Sequence, residues 1–279
     1  MRKQILYIAF LFLFALPVMA EQAIVSVSAG STRTFTDSDL PDAIRTNAEN
    51  QGLTFLGWTT SPIADGAKPA TYYGTQATVT PATATTYYAF FARRTNSGSR
   101  IVRKITTPSD GDTIMLVISV PAYSMHFYVP NGGTSIIKNI QLNNISSGIS
   151  DDLYNGAVSD ASAWKYLVYN ADTFQLKTAN YRVENEYYLY VKDNNTNIGP
   201  LGDASPLSRC YFLMKNGHPY NVYANKNIYF KLESYKYYWR PLDKSDYTTT
   251  FSFYRYEWYS DFVTDITDPC PECFMYIAE

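Results

Sequence analysis

Apolar and polar residues alternate in short stretches along most of the chain. The clearest of these stretches are residues 23–28, 53–58 and 85–92. A hydrophobic period of two residues is typical of strands that bury one face. In residues 37–50 the apolar residues are instead four apart, which favours an amphipathic helix. They are Leu40, Ile44 and Ala48, and Pro41 suits the first turn of such a helix. The pattern predicts a mainly β chain with one helix near its beginning.

The first part of the chain, residues 22–94, contains this helix and most of the clearest strands. A turn at residues 29–31 separates the first strand from a returning strand at residues 32–36, which predicts a β-hairpin. The helix follows, and the strands at residues 53–58 and 85–92 come after it. One helix laid across a small mixed sheet is an α+β arrangement of β-grasp type.

Trp58 is the largest side chain in the strand at residues 53–58. Strict alternation puts Trp58 and Leu56 on one face and Leu53 and Phe55 on the other. We interpret Trp58 as part of the core of the first part rather than as a stacking surface for a ligand. Gly57, directly before it, leaves room for another backbone segment to approach closely.

Two short motifs in this part resemble a known family of modules. They are Phe55-Leu-Gly-Trp-Thr-Thr60 and, about thirty residues later, Thr86-Tyr-Tyr-Ala-Phe-Phe91. The first resembles the F-x-G-W core of the Listeria–Bacteroides repeat, also called the internalin B-repeat. In the second, Tyr87 stands where that family usually has leucine, and Phe91 replaces its final Trp or Tyr. The resemblance covers residues 22–93. It implies a β-grasp module of secreted and surface proteins, used as a spacer or for adhesion, without catalytic residues.

The remaining chain is predicted to form a separate β-rich part. Residues 95–104 begin with Thr, Asn, Ser, Gly and Ser, which predicts a flexible linker. About ten short strands separated by turn residues follow over residues 105–259, and this spacing predicts an all-β barrel or sandwich. Residues 164–170 align with residues 210–216 at an offset of 46, a weak repeat that favours a β-trefoil-like barrel. Residues 260–279 are predicted to form a polar C-terminal tail.

Residues 1–20 have the layout of a cleaved signal peptide. Arg2 and Lys3 precede an apolar run, and small residues flank the expected cleavage site after Ala20. A transmembrane anchor is the alternative. The apolar run is shorter than the roughly 20 residues that a spanning helix needs, and Pro17 interrupts it. We therefore expect a secreted or cell-envelope protein, in the periplasm, at the outer surface or outside the cell, whose mature chain does not span the membrane.

Composition and charge narrow the partners of such a protein. The chain has 23 Lys and Arg against 25 Asp and Glu, and removal of the signal peptide takes away two of the basic residues. A mildly acidic chain without basic runs lacks the phosphate-neutralising charge on which nucleic-acid binding depends. We expect no nucleic-acid partner. The 26 tyrosines agree with strands, because Tyr favours half-buried pleated surfaces.

Cysteine and histidine are too few to indicate a metal site. Of the three cysteines, Cys270 and Cys273 form a C-x-x-C pair that predicts a local disulfide, with free or intermolecular thiols as the alternative. A structural zinc site needs four ligands, and one such pair supplies two. His126 and His218 lack metal-ligand spacing. We expect no metal and no cofactor.

The densest chemical feature of the sequence is aromatic, at residues 235–240 and 251–259. A strand over the second run places Tyr254, Tyr256 and Trp258 in a row on one face. With Tyr237 and Trp239 they are candidate ligand-binding residues, because aromatic rings stack on sugars and their polar edges complete hydrogen bonds. The alternative is that these rings pack the core.

The sequence contains no complete catalytic motif, so we expect a protein that is not an enzyme. The prediction is a secreted or cell-surface binding or adhesion protein whose ligand is a glycan or a host protein. A structural spacer or assembly component of the envelope is the alternative. A carbohydrate hydrolase also stays open, since it needs only two carboxylates.

Overall fold

The computed structural model describes residues 23–64, 66–132, 136–145, 153–154, 160–179 and 186–266. The predicted signal peptide, the Cys270–Cys273 pair and the tail from residue 267 lie outside the described residues. Strands make up 52% of the structure, so the prediction of a mainly β protein is confirmed. Within the described ranges, no helix has the length and apolar character that crossing a membrane requires.

Nineteen strands and one α-helix are described. The strands are β1 Ile24–Val27, β2 Arg33–Thr34, β3 Leu53–Thr59, β4 Thr78–Val79, β5 Thr85–Ile105, β6 Thr113–Val120, β7 Met125–Tyr128, β8 Ile137–Lys138, β9 Asn143–Asn144, β10 Leu153–Tyr154, β11 Trp164–Val168, β12 Phe174–Thr178, β13 Tyr187–Lys192, β14 Asn195–Pro200, β15 Phe212–Lys215, β16 His218–Asn221, β17 Lys226–Glu233, β18 Lys236–Leu242 and β19 Thr250–Val263. The helix α1 is Asp42–Asn50, and short 3-10 turns are Asp37–Asp39, Pro121–Tyr123, Asp160–Ser162, Leu201–Ala204 and Leu207–Cys210.

The predicted helix is confirmed. Pro41 is the N-cap of α1, and Asp42 places a negative charge in the first turn, where the helix dipole favours it. Ile44 and Ala48 are buried because residues four apart share one face of a helix, and Leu40, two residues before α1 begins, is buried as well. The helix packs against β3.

The predicted hairpin of the first two strands is wrong. β1 pairs antiparallel with β5, from Ile24 opposite Tyr88 to Val27 opposite Thr85. β2 pairs instead with β4 in a separate two-stranded sheet. Short strands of mixed polarity carry no information about their partner, because hydrophobic alternation sets which face is buried and not which edge is paired.

Two long strands, β5 and β19, run through both parts of the chain. They pair antiparallel from Phe253 opposite Ile105 to Val263 opposite Phe91. The predicted linker at residues 95–104 is therefore wrong, since these residues belong to β5. The predicted tail likewise begins too early, because β19 continues to Val263.

The polar Asn-Ser-Gly segment in β5 marks a bulge rather than a linker. The pairing jumps from Trp258 opposite Arg100 to Tyr259 opposite Arg94, which leaves residues 95–99 as an extra stretch of β5. Gly98 has φ +133°, and a Cβ atom on it would lie 2.3 Å from the carbonyl oxygen of Tyr259. Glycine is required where the two backbones come this close.

The strands outside β2 and β4 form one large antiparallel sheet that is not closed into a barrel. β19 lies between β5 and β6, and β6 also pairs with β7 and β11. The predicted closed barrel is wrong. At β12 the sheet forks, because this strand meets β13 and β15 through one residue pair each, and a barrel needs continuous ladders around its circumference.

Trp58 lies in the core, as the strand pattern predicts, but the predicted face is wrong. Its ring is fully buried and stacks on Phe35 with centroids 5.3 Å apart. Leu56 faces the other way, into a cluster formed with Tyr72, Phe90, Ala92, Ile101, Tyr259 and Phe262. We call this the junction cluster. The pairing with β5 shifts between Phe55 and Gly57, and such a bulge reverses the alternation that follows it.

Candidate ligand-binding site

Most of the aromatic residues predicted to bind ligand are buried. Tyr254 and Tyr256 pack with Met115 and Val117 of β6, and the hydroxyl of Tyr256 lies 2.6 Å from the hydroxyl of Ser162. The predicted stacking row is therefore wrong for Tyr254 and Tyr256. The physical reason is the position of β19, which has paired strands on both sides and packing against both faces.

The two predicted tryptophans make internal contacts as well. Trp239 is fully buried, and its ring stacks on Phe251 with an interplanar angle of 5°. It is not a surface for ligands. Trp258 is half-buried, and the guanidinium carbon of Arg100 lies 4.6 Å above the centre of its ring. This cation–π contact occupies one face of the indole.

Tyr237 is a predicted binding residue that does line a cavity. The cavity has a volume of about 270 Å³ and an almost wholly apolar and aromatic lining. We call it the aromatic cleft. Its lining residues are Val120, Tyr123, Met125, Phe230, Leu232, Tyr237 and Tyr247. Mostly apolar clefts with a few polar groups at the edge are the usual form of small-ligand sites.

Two antiparallel pairs of strands position the lining. In the β17–β18 hairpin, Leu232 lies opposite Tyr237, and Phe230 is two residues before Leu232 on the same face. Val120 at the end of β6 lies opposite Met125 at the start of β7. The cleft lies where the ends of these two pairs meet.

The tyrosine rings of the cleft are held by aromatic contacts. The ring of Tyr247 packs edge-on against Phe230 at 5.4 Å and against Tyr123 at 6.1 Å between centroids. The ring of Tyr237 stacks on Phe230 at 5.5 Å. Tyr123 is 60% exposed at the outer edge. The cleft therefore offers flat apolar ring faces to the solvent.

Two ion pairs lie beside the cleft. Lys231 contacts Asp246 at 2.7 Å, and Arg240 contacts Glu233 at 2.8 Å. The hydrogen bond between Lys231 and Asp246 raises the pKa of the amine and lowers the pKa of the carboxyl group. Because no charged residue lines the cleft, the inserted part of a ligand is expected to be uncharged.

The turn between β17 and β18 exposes a further tyrosine. Tyr235 is 99% exposed and has φ +62°, and Ser234 before it has φ +50°. The aromatic run at residues 235–240 already marks this region in the sequence. Tyr123 and Tyr247 were missed, since they are isolated tyrosines distant in sequence from that run, and only folding brings them to the cleft.

A second, larger groove of about 660 Å³ lies at the end of β5 and the start of β19. It combines Lys104, Thr106 and Thr107 with Met214 and the ring of Phe251. The Phe251 ring already stacks on Trp239, so the groove offers a ligand fewer free aromatic faces than the cleft does.

A buried charged cluster lies on β5 and β19 and faces no cavity described above. Glu257 is 3% exposed, and its carboxylate contacts Arg255 at 2.7 Å, Arg103 at 3.3 Å and the hydroxyl of Tyr259. Burial opposes its ionisation, but the hydroxyl and the two guanidinium groups outweigh burial and hold the pKa of Glu257 below its usual value. The cluster is a structural contact between the long strands.

Other reactive groups in the described ranges are dispersed. The hydroxyl of Ser119 lies 2.7 Å from Nδ1 of His126, and burial lowers the pKa of this histidine. The buried thiol of Cys210 accepts a hydrogen bond from Gln175 at 3.2 Å, and burial raises its pKa. Across the described part of the chain, no three His, Cys, Asp or Glu side chains come together in a group able to hold a metal ion.

Comparison of the chain with protein-family models and with curated proteins finds no match. The assignment of a function therefore depends on the geometry of the aromatic cleft and on the sequence features described above. The cleft brings together three tyrosines from three separate segments and has no acidic residue in its lining.

Proposed function

We propose that this is a secreted or cell-surface binding or adhesion protein without catalytic activity, and that its ligand is a glycan or a host protein. The observation that carries the proposal is the aromatic cleft, an open cavity walled by Tyr123, Tyr237 and Tyr247. Tyrosine rings present an apolar face with a polar edge, which suits both sugar rings and the aromatic side chains of proteins.

The proposal includes a modular origin for the first part of the chain. The order β1, α1, β3, β5, with α1 packed on β3, supports a β-grasp module of the Listeria–Bacteroides type. The burial of Trp58 supports a structural role for the F-x-G-W motif. Such a module carries the binding part of a surface protein away from its attachment point.

A trefoil-like repeat of hairpins, within a sheet that is not closed into a barrel, is proposed for the second part. The two segments related by the offset of 46 each begin a hairpin, β11–β12 in the first and β15–β16 in the second. The signal-peptide layout of residues 1–20 supports export of the chain.

Binding to arrays of glycans and of extracellular host proteins tests the proposed function. The mature chain is compared with Tyr123→Ala, which removes an exposed ring of the cleft, and with Tyr169→Ala as a matched control. Tyr123 is 60% exposed, and Tyr169, which does not line the cleft, is 56% exposed. We expect Tyr123→Ala to weaken binding and the control to bind as the unmodified chain does. Equal binding by both variants contradicts a site at the cleft.

A structural spacer in the cell envelope is the second candidate function. The continuity of β5 and β19 through both parts favours it, because paired strands of this length resist extension. Absence of binding on both arrays, together with cross-linking of the chain to envelope proteins, would favour the spacer over the binding protein.

A further inference from the structure

The turn that carries Tyr235 differs from the other two-residue hairpin turns in the described ranges. In all three turns, both central residues have positive φ, which is the type I′ geometry. The β13–β14 turn uses Asp193-Asn194, and the β15–β16 turn uses Asn216-Gly217. These are residue types that accept the left-handed region. The β17–β18 turn uses Ser234-Tyr235 instead.

A tyrosine at this position raises the conformational free energy of the folded chain, and burial of its ring does not offset that increase. A side chain other than Gly, Asn or Asp loses about 1–2 kcal/mol in the left-handed region. The ring of Tyr235 is 99% exposed, so burial of the side chain does not compensate for the strain. Strained residues of this kind cluster at functional sites.

Tyr235 lies directly beside the aromatic cleft. It is three residues after Leu232 and two before Tyr237, which face each other across the hairpin and both line the cleft. Two residues of chain span at most about 7 Å. A ligand that fills the cleft and continues past Tyr237 therefore reaches the Tyr235 ring within about the length of one further sugar unit.

The geometry points to Tyr235 as a second stacking position for a neutral oligosaccharide whose first ring occupies the cleft. This inference rests on the proposed function and names its ligand class. A volume of about 270 Å³ lies near the lower end of the range for ligand pockets, and it suits a single ring. The uncharged lining favours a neutral ligand. A pyranose has an apolar C–H face that packs on tyrosine and hydroxyls that stay in water.

Substitutions at Tyr235 separate the ring from the backbone strain. Tyr235→Asn removes the ring and suits the left-handed region, whereas Tyr235→Phe keeps the ring. The probes are mono- and hexasaccharides of N-acetylglucosamine, β-1,4-glucose, α-1,4-glucose and mannose, measured by titration calorimetry with the mature chain. Hexagalacturonate is the charged control.

We expect at least one neutral hexasaccharide to bind, and to bind more tightly than its monosaccharide. Tyr235→Asn should weaken that hexasaccharide about tenfold, the factor that corresponds to 1.4 kcal/mol, and leave the monosaccharide unchanged. It should also raise the melting temperature by about 1–3 °C, because the strain is relieved. Loss of binding together with a gain of stability is not the result of damage to the fold. Tyr235→Phe should keep the affinity of the unmodified chain.

Four results would overturn the inference. If Tyr123→Ala loses hexasaccharide binding and Tyr235→Asn does not, Tyr235 is not a stacking position, although the proposed function stands. If hexagalacturonate binds more tightly than every neutral hexasaccharide, the ligand is not neutral. If no saccharide binds and a host protein does, the ligand class is wrong while the binding function is kept. Absence of binding to both kinds of probe removes the inference and the proposed function together.

Discussion

Substitution of Gly57 by alanine tests the bulge that turns Trp58 into the core. Gly57 has φ +146°, and a Cβ atom added to it would lie 2.2 Å from the carbonyl oxygen of Tyr73. Ordinary contact begins at 3.4 Å, so the two backbones would have to separate by about 1 Å. Two hydrogen bonds join them, from Trp58 N to Tyr73 O at 2.8 Å and from Tyr73 N to Trp58 O at 2.7 Å.

The loss of stability expected for Gly57→Ala follows from these contacts. Each backbone hydrogen bond contributes about 1 kcal/mol net, and the left-handed conformation adds about 1–2 kcal/mol for alanine. We expect Gly57→Ala to lower the free energy of unfolding by about 3–4 kcal/mol. For a chain of this size, that loss lowers the melting temperature by roughly 10 °C.

Gly30→Ala is the matched control for this prediction. Gly30 has φ +71° and no heavy atom within 4 Å of an added Cβ. Gly30→Ala therefore lowers the free energy of unfolding only through the left-handed backbone conformation, by about 1–2 kcal/mol. Urea unfolding followed by tryptophan fluorescence measures both variants. If the two variants lose the same stability to within about 0.5 kcal/mol, the close approach at Tyr73 does not stabilise the bulge and the reasoning fails.

Two further predictions concern the long strands. Because the folded pKa of Glu257 is lowered, its contribution to stability is present above the ordinary value of 4.5 and is lost as the pH falls below it. Glu257→Gln should therefore lower the free energy of unfolding by about 3–5 kcal/mol at pH 7. Between pH 6 and pH 3, the stability of the variant should depend less on pH than that of the unmodified chain. If the variant and the unmodified chain lose the same stability between pH 6 and pH 3, this prediction is contradicted. Phe262→Ala empties a position in the junction cluster and should cost about 3–4 kcal/mol. Calorimetry should show one transition at lower temperature, whereas a separate early transition would mean that the two parts unfold independently.

The helix and the burial of Trp58 were predictable because they depend on local information. Apolar residues four apart define one face of α1 whatever surrounds it. A large aromatic residue in an apolar strand is buried in most settings. The face of Trp58 was not predictable, since the bulge at Gly57 arises from the approach of Tyr73, sixteen residues later.

The strand at the Gly- and Ser-containing stretch of β5 was not predictable for the same reason. Its composition is that of a linker, and only the pairing with β19 shows that Gly98 is needed for a close contact with Tyr259. The partner strand lies about 160 positions away in the sequence, beyond the reach of any local pattern.

The aromatic residues show most clearly what each level of organisation decides. Sequence alone determined that the chain forms strands rich in tyrosine, with turns at Asn, Asp and Gly, because backbone preference and side-chain period are local properties. Only the tertiary structure decided which rings are available to a ligand. Tyr254 and Tyr256 alternate as surface residues would, yet β19 is central and both its faces are covered. Tyr123 and Tyr247 carry no distinctive pattern, yet the ends of four strands bring them together with Tyr237. Exposure depends on which strands become neighbours, and that is settled by packing over the whole chain.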